Sequence, residues 1–536
     1  MPRETVVSSK TRSSEEDSSP QVVAVIDIGA TAVRMAIAEI GPDRPVRTLE
    51  TLTQAVNLGK DTFSRGAIEP ATTEDCVRVL QRYRQKLDEY GIRGRGRVHV
   101  VATSAVREAS NRFAFLNRIY VATGFQVEPF DEAAVNRVTF WGVRPLFRIR
   151  PELAAARTLI VEVGGGSTEV LLFDRGDVAF AHTYRLGSLR LRKTLETYHA
   201  PLGKIRRIME SQIQRAVDHL LRHVPRDPPP TLITLGSDVR FAAKRLGANW
   251  DAAGLACLPC DRFAELTEQI MGRSVEEVAH EYHLVFPEAE VVGPTLLCYT
   301  RIARGLALDQ LQVSSINLRD GLIKEMALHH AWTDDFVQQI IRSALDFGIS
   351  LGFDEAHGQY VADVSRVLFR ALQPQHGLAG RYEAILYVAA LLHDVGYAVS
   401  PRSHHKHSMY LISKGDLFGL SKRDALLAAL TARYHRRSAP KPFHQGYATL
   451  DWEDRTNVAK MAAILRLADA LDRSGSQRIG PIHCEVADGQ LMLRVPTADD
   501  LSLEQMALGQ KSAMFTEIFG MPVLLRNAPE GIEAGT

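Results

Sequence analysis

The chain has 536 residues, of which 45% are hydrophobic, so it is long enough for three or four domains with full-sized cores. Its formal net charge of +1 argues against a dedicated nucleic-acid or membrane-surface binder. No apolar run approaches the roughly 18 residues of a membrane-spanning helix, and the first twenty residues lack a signal peptide's hydrophobic core. Five cysteines in this length fit a reducing compartment, so we expect a cytoplasmic protein.

The chain begins with a polar segment and continues into a hairpin pattern. Residues 1–20 are rich in serine and carry few large apolar side chains, so we expect a disordered tail. Residues 22–40 (VVAVIDIGATAVRMAIAEI) contain an apolar strand, an acid, a turn of small residues and a second apolar strand. Asp27, Gly29 and Thr31 lie at this turn. The polar residues 58–70 predict a loop, and Thr73 is the predicted start of a helix.

A second copy of this pattern occupies residues 159–173 (LIVEVGGGSTEVLLF). Glycine admits positive φ and lets backbone N–H groups approach an oxyanion, so this turn is suited to holding a phosphate. The turn consists of Gly164, Gly165, Gly166, Ser167 and Thr168, and the last two add hydroxyl donors. Most glycine turns are ordinary hairpins that bind nothing, but two matching copies predict a duplicated fold with a cleft between the halves. Glu162 occupies the position that Asp27 has in the first copy.

The segments between and after the hairpins alternate strands with helices, which predicts an α/β architecture. Residues 98–102 form a short buried strand that leads directly into Thr103 and Arg107. These two residues lie at the carboxyl end of a strand, where ligands bind in open α/β sheets. Strand signals disappear from about Trp332, so we place a domain boundary near Met326.

The helical half that follows is rich in histidine and aspartate. Imidazole and carboxylate groups together are ligands for a divalent transition metal, or for two such ions that share one aspartate. The alternative is a buried hydrogen-bonded cluster that stabilises the helices and binds nothing. The candidate ligands are His357, His393, Asp394, His405, His435 and Asp469, with His404 and His407 as possible substitutes for His405.

Nine motifs of the chain resemble motifs of two known families. The first five, at residues 22–35, 100–111, 159–170, 184–191 and 313–325, resemble the exopolyphosphatase and guanosine pentaphosphate phosphohydrolase (Ppx/GppA) family. The other four, at residues 390–397, 404–412, 432–437 and 465–473, resemble the HD metal-dependent phosphohydrolase domain. The resemblance implies a duplicated actin-like fold of the sugar-kinase and Hsp70 ATPase type, then an all-α HD domain and a small C-terminal α+β appendage.

The resemblance also implies domain limits and site roles. We expect actin-like subdomains at residues 21–137 and 138–325, the HD domain at 326–480, and a C-terminal hairpin and helix at 481–536. The active site would lie in the cleft, where Asp27 and Glu162 hold Mg²⁺ while Arg107 and the two turns bind phosphates. The family's water-activating glutamate falls on Ala134 in this chain, so Glu132 is our candidate base.

Two functional hypotheses follow from this resemblance. In the first, the cleft hydrolyses the terminal phosphoanhydride of polyphosphate or of a guanosine penta- or tetraphosphate. In the second, the cleft only binds such a polyanion and reports to the HD domain, which is the hydrolase or a regulator. The HD domain would hold Mn²⁺, Fe²⁺ or Mg²⁺, with His357, His393, Asp394 and Asp469 as the primary site. From the same resemblance we expect a homodimer, and from the net charge we expect no specific nucleic-acid or membrane partner.

Overall fold

The structure, a computed structural model, describes residues 20–41, 45–92, 94, 96–196, 202–328, 332–436, 438–495 and 500–527. The predicted tail at residues 1–20 lies outside these ranges except for its last residue. None of the helices in the described ranges is long and apolar enough to cross a membrane.

The first part of the chain forms a five-stranded sheet flanked by helices. Its elements in chain order are β1 (Gln21–Ile28), β2 (Ala32–Ile40), β3 (Arg47–Ala55), α1 (Leu58–Arg65), α2 (Pro70–Glu89), β4 (Val98–Ala102), α3 (Ser104–Glu108), α4 (Arg112–Thr123), β5 (Val127–Pro129) and α5 (Glu132–Ile149). The strand order is β3-β2-β1-β4-β5. Strand β1 pairs antiparallel with β2 and parallel with β4.

The second part of the chain forms a six-stranded sheet. Its elements are α6 (Pro151–Ala155), β6 (Arg157–Val163), β7 (Thr168–Asp174), β8 (Asp177–Tyr184), α7 (Ser188–Glu196), α8 (Leu202–His223), β9 (Thr231–Leu235), α9 (Ser237–Arg245), β10 (Leu255–Pro259), α10 (Cys260–Met271), α11 (Val275–Tyr282), α12 (Phe286–Gly305), β11 (Gln310–Ser314) and α13 (Leu318–Ala327). The strand order is β8-β7-β6-β9-β11-β10.

The two sheets repeat one design. In each, three antiparallel strands are followed by two parallel ones, and the second sheet adds β10 antiparallel at its edge. The register also repeats, because Asp27 lies opposite Arg34 in the first hairpin and Glu162 lies opposite Glu169 in the second. The predicted duplication is therefore present, and it brings the two turns to corresponding ends of their sheets.

One local prediction in this region is wrong. Residues 58–70, predicted as a loop, contain α1, which ends at Gly66 in a left-handed conformation. Leu58 at the start of this helix is fully buried, so packing decides a segment whose polar side chains suggested a loop. The next helix begins at Pro70 rather than at Thr73, because proline is well tolerated in the first turn of a helix.

The chain from Asp334 to Leu471 is helical. Its helices are α14 (Asp334–Ser350), α15 (Glu355–Ala371), α16 (Gln373–His376), α17 (Arg381–Leu391), α18 (His404–Lys414), α19 (Lys422–Arg433) and α20 (Trp452–Leu471). This helical domain packs on the second sheet's side of the α/β region through rings of Phe140, Phe336 and Phe418, whose centroids lie 5.7–5.9 Å apart. The α/β core and the helical core are thus continuous.

The chain after Leu471 forms a three-stranded sheet and two helices, which we call the C-terminal appendage. These are β12 (His483–Ala487), β13 (Gln490–Val495), α21 (Ser502–Lys511), α22 (Ala513–Phe519) and β14 (Val523–Asn527). The predicted hairpin is β12–β13, and its turn residues Asp488 and Gly489 both have positive φ, as a two-residue hairpin turn requires. The predicted single helix is two helices that meet at Ser512.

Candidate functional sites: an interlobe cleft and a histidine–aspartate cluster

The two hairpin turns face each other across a cavity of about 160 Å³ between the halves. We call this cavity the cleft. The predicted site residues that line it are Asp27, Gly29, Thr31, Thr103, Arg107, Glu162, Gly164, Gly165 and Ser167. Thr168 does not line it, because its buried hydroxyl donates to the carbonyl oxygen of Leu186. Gly166 also lies outside the lining, packed against Ser104 and Phe63.

Positive φ, one of the two reasons expected for glycine in the second turn, does not apply there. None of Gly164, Gly165 and Gly166 has a positive φ. A Cβ atom added to Gly165 would instead lie 2.9 Å from the Cβ of Ala30 in the first turn. The absence of a side chain at Gly165 therefore lets the two turns approach each other closely across the cleft.

Two predicted acids lie at the ends of the equivalent strands β1 and β6. Asp27 is buried, and its Oδ1 has no hydrogen-bond partner among the described residues. Arg34 and Arg319 approach its Oδ2 to 4.0 and 3.8 Å. Burial raises the pKa of Asp27 against the opposing effect of these arginines, and burial likewise raises the pKa of Glu162, with Asp27 adding to that rise.

In phosphate-binding sites Mg²⁺ is held by one or two carboxylates together with water and substrate. Asp27 offers an unpaired carboxylate oxygen, and Glu162 offers a second carboxylate in the lining of the same cleft. Asp27 and Glu162 thus fit the predicted ion by donor chemistry. They are not part of any group of three possible ligands within ligand distance among the described residues.

Glu169 is an acid of the cleft that the sequence analysis missed. It lies opposite Glu162 in the β6–β7 pair, lines the cleft, and accepts a hydrogen bond from the hydroxyl of Ser167. Burial, reinforced by the nearby charge of Glu162, raises the pKa of Glu169 to about 7. A carboxyl group with this pKa changes its charge near neutral pH, which suits a proton acceptor.

The structure does not place Glu132, the predicted base, in the cleft. Asp131 caps α5 by accepting a hydrogen bond from the backbone N–H of Ala134 at 2.9 Å, so Glu132 is the first helical residue. Its carboxylate faces a groove between the α/β region and the helical domain, 3.5 Å from Lys422 Nζ. Val135, less than one turn further along α5, lines the cleft in its place.

The helical domain brings the predicted metal ligands together. His357, His393 and Asp394 have ligand atoms within 4.8 Å of one another, and so do Asp394, His404 and His435. Asp469 joins the first group, because its Oδ1 lies 3.9 Å from Nε2 of both His357 and His393. Asp394 belongs to both groups, as predicted for a shared aspartate. We call these six residues the histidine–aspartate cluster: His357, His393, Asp394, His404, His435 and Asp469.

Every imidazole of the cluster has its Nδ1 atom held by an oxygen. The backbone carbonyls of Ala390 and Ala432 accept from His393 and His435 at 2.6 Å, and that of Pro401 accepts from His404 at 3.2 Å. Asp472 Oδ2 accepts from Nδ1 of His357 at 2.7 Å. Since these oxygens only accept hydrogen bonds, Nδ1 is the donor of each ring, and in a neutral imidazole this leaves Nε2 with its lone pair, as in protein metal sites.

The Nε2 atoms of the cluster face one another and the shared carboxylate. Nε2 of His404 lies 3.4 Å from Nε2 of His435 and 3.2 Å from Oδ1 of Asp394. The buried atoms His393 Nε2 and Asp394 Oδ1 have no hydrogen-bond partner among the described residues. Acceptors that face acceptors in a buried site are unfavourable unless a cation lies between them. The donor set and its spacing therefore fit one or two divalent ions.

The protonation states fit the same conclusion. Burial opposes ionisation of Asp394, but His393, His404 and His435 hold the pKa of this carboxyl well below its usual range. Burial and the neighbouring His393 lower the pKa of His435 to about 3, so this imidazole is neutral at pH 7. An ionised Asp394 beside a neutral His435 is the form in which both side chains can bind a metal ion.

The structure brings His404, rather than the predicted His405, into the group with Asp394 and His435. Helix α18 begins at His404, whose buried side chain points toward Asp394, while His405 is turned about 100° further around the helix. His407 faces the groove between the domains instead. A cavity of about 470 Å³ opens over His357, Asp394 and Asp469, with Tyr397 and Arg473 in its lining, so the cluster is reachable from solvent.

The architecture is that of the duplicated α/β fold with an interlobe cleft known from actin-like ATPases, carrying an added helical domain. The sequence pattern of the Ppx/GppA phosphatase family matches residues 36–330, more than half of the chain, and the pattern of Ppx/GppA phosphatase domain III matches residues 341–512. The chain therefore belongs to the Ppx/GppA phosphatase family.

Individual relatives agree with this assignment. The chain is 22% identical over 519 residues to a guanosine-5'-triphosphate,3'-diphosphate pyrophosphatase of Photobacterium profundum, covering 94% of this chain and 98% of the relative. It is 26% identical over 325 residues to exopolyphosphatase 2 of Mycobacterium tuberculosis, covering 57% of this chain and 98% of the relative. A crystal structure of an exopolyphosphatase-like protein, 20% identical, superposes with a TM-score of 0.50 and covers 58% of this chain and 100% of the other.

Proposed function

We propose that the cleft hydrolyses the terminal phosphoanhydride of inorganic polyphosphate or of a guanosine penta- or tetraphosphate. The observation that carries this proposal is the convergence of two small-residue turns, four acids and four arginines, Arg107 among them, on one cavity. The similarity to a guanosine-5'-triphosphate,3'-diphosphate pyrophosphatase and to an exopolyphosphatase supports both substrate classes. Exposed phosphate oxygens at a chain end are chemically the same in either substrate.

The size of the cleft favours attack at the end of the substrate. Its volume of about 160 Å³ is below the roughly 300 Å³ at which sites for whole small molecules begin. One or two phosphate groups fit this space, and the remainder of the substrate extends outside it. Hydrolysis in such a site removes terminal phosphate rather than cutting an internal bond.

In the proposed reaction, Glu169 accepts a proton from the attacking water, and Ser167 holds the carboxylate in position through its hydrogen bond. Backbone N–H groups of the two turns and the guanidinium of Arg107 stabilise the negative charge on the phosphoryl oxygens. Asp27 and Glu162 would hold Mg²⁺, which when bound offsets the phosphate charge. Glu132, which faces the domain groove, has no part in this scheme.

Substitution of Gly165 by valine is expected to weaken binding of polyphosphate at least tenfold. The added side chain would fill the narrow approach between Gly165 and Ala30 and cover the backbone of the turn. Binding is measured by calorimetry on the folded variant, with the melting temperature recorded beside it. Gly96→Val is the matched control, because a Cβ atom at Gly96 meets open space. Unchanged affinity in a folded Gly165→Val protein would remove the phosphate-loop assignment.

A second candidate function belongs to the helical domain, which we propose to be a metal-binding HD domain. The Nε2 atoms of the histidine–aspartate cluster, which face one another and the shared carboxylate, support this proposal. A transition metal such as Mn²⁺ or Fe²⁺, or Mg²⁺, would lower the pKa of bound water when held there. Arg473 beside the opening supplies a positive charge for an anionic substrate. The domain would then be a second phosphohydrolase or a regulator of the cleft.

Separate substitution of the neighbouring residues His404 and His405 tests the proposed metal centre. His404→Ala is expected to lower bound Mn²⁺ by half or more, since it removes a ligand from the group that contains His435. His405→Ala, one residue away on the same helix, is expected to keep the wild-type content. Metal is measured by elemental analysis of protein purified without a histidine tag. Equal losses in the two variants would contradict the assignment.

The expected homodimer stays a proposal from the family resemblance. Size-exclusion chromatography with light scattering at micromolar protein concentration distinguishes a dimer from a monomer, and a monomeric mass would remove the proposal.

A further inference from the structure

One contact ties the C-terminal appendage to the histidine–aspartate cluster. Lys511, the last residue of α21, forms an ion pair through Nζ with Oδ2 of Asp469. The side chains are 19% and 11% exposed, so the pair is shielded from water. The other carboxylate oxygen, Oδ1, is the atom that faces His357 and His393 at 3.9 Å. Asp469 therefore presents one oxygen to the cluster and the other to the lysine.

The backbone that carries Lys511 is firmly placed. Helices α21 and α22 both pack against α20, the helix that carries Asp469. Glu504 in α21 is fully buried and pairs with Arg478 Nε at 2.8 Å, which fixes the helix to the preceding segment. The packing of α21 on α20 therefore holds Lys511 next to Asp469, unlike a surface lysine whose backbone is not fixed there.

The lysine changes the charge balance of the cluster. Three carboxylates converge there, on Asp394, Asp469 and Asp472, and Lys511 cancels one of their charges. A divalent ion bound through Oδ1 of Asp469 would lie only one carboxylate away from the ammonium group. Charges at such a separation repel strongly in a buried site, where water and salt screen them poorly.

We propose that Lys511 is an intrinsic counter-cation that weakens divalent-metal binding at the histidine–aspartate cluster, so that the appendage sets the metal affinity of the helical domain. The inference rests on the proposed metal centre and adds a residue that acts through Asp469. It gives the appendage a specific role, since any change that moves α21 away from α20 tightens metal binding. With α21 in place, the ion stays exchangeable.

The test compares three substitutions in the full-length chain, freed of metal by chelator and titrated with Mn²⁺ by calorimetry at pH 8. Lys511→Gln removes the charge but keeps an N–H donor for Oδ2 of Asp469, and we expect it to bind Mn²⁺ at least tenfold more tightly than wild type. Lys511→Arg keeps the charge and is expected to match wild type. Lys414→Gln removes a charge from the end of α18, outside the cluster, and is the matched control.

The outcomes separate the inference from the proposed metal centre. If wild type binds Mn²⁺ and Lys511→Gln binds it no more tightly, the counter-cation role is overturned while the metal centre stands. If neither protein binds Mn²⁺, the metal centre itself fails and the inference fails with it. A purely structural lysine would lower the melting temperature without tightening Mn²⁺ binding. Lys511→Met, titrated in the same way, serves if the glutamine variant does not fold.

Discussion

Substitution of Glu169 by glutamine is expected to lower the rate of phosphate release by about two to four powers of ten, because the change removes the proton acceptor and keeps its shape. Burial raises the pKa of this carboxyl to about 7, so the wild-type rate should rise as pH increases through 7 and the base becomes ionised. The variant's residual rate should lose this dependence. Initial rates of phosphate release from polyphosphate between pH 5.5 and 8.5 measure both effects.

Glu132→Gln is the matched control for this result. Glu132 lies only three residues before Val135, which lines the cleft, but its carboxylate faces the domain groove and Lys422. Its substitution should leave the rate within about twofold of wild type. A loss in Glu132→Gln with full activity in Glu169→Gln would reverse the assignment and would require α5 to begin earlier than it does.

Substitution of Asp394 by alanine is expected to abolish metal binding in the helical domain. Asp394 is the one residue shared by both ligand groups, so its loss removes a charged ligand from each. We expect the Mn²⁺ affinity to fall at least a hundredfold and the metal content of the purified protein to fall to background. Elemental analysis and calorimetry measure the two quantities.

Asp416→Ala provides the control for Asp394→Ala. Asp416 is an exposed carboxylate of the same domain that contacts His182 at 3.1 Å and lies outside both ligand groups. Metal content should be unchanged in this variant. Wild-type protein that takes up less than about half an equivalent of Mn²⁺ at saturation, or Asp394→Ala with the wild-type uptake, would refute the centre.

The duplicated fold was predictable because each hairpin has a recognisable pattern within a short stretch of sequence. An apolar strand, an acid and a small-residue turn recur at Asp27 and Glu162, and alternation of strands and helices marks the rest. The same offset of seven residues that separates Asp27 from Arg34 separates Glu162 from Glu169. Aligning the two hairpins at this offset would have marked residue 169 as the position that lies opposite the predicted acid Glu162.

Other features of the sites depend on the direction in which a side chain leaves its helix and on how distant helices pack, and local sequence patterns determine neither. The cap at Asp131 sets where the first turn of α5 begins, and with this start Val135 lines the cleft while Glu132 lines the domain groove. His404 rather than His405 faces Asp394 for the same kind of reason, since a one-residue change turns a side chain by about 100° around a helix. Lys511 reaches Asp469 across 42 residues of sequence, so only the packing of α21 on α20 reveals it.

The most direct test of the central claim, hydrolysis in the cleft, is phosphate release measured with each site disabled separately. Wild type, Glu169→Gln and Asp394→Ala are compared at pH 8 with Mg²⁺, using polyphosphate and guanosine pentaphosphate as substrates. We predict that Glu169→Gln loses nearly all activity on the substrate that wild type hydrolyses, while Asp394→Ala keeps most of it. Loss of activity in Asp394→Ala with full activity in Glu169→Gln would place the hydrolysis in the helical domain and contradict the account.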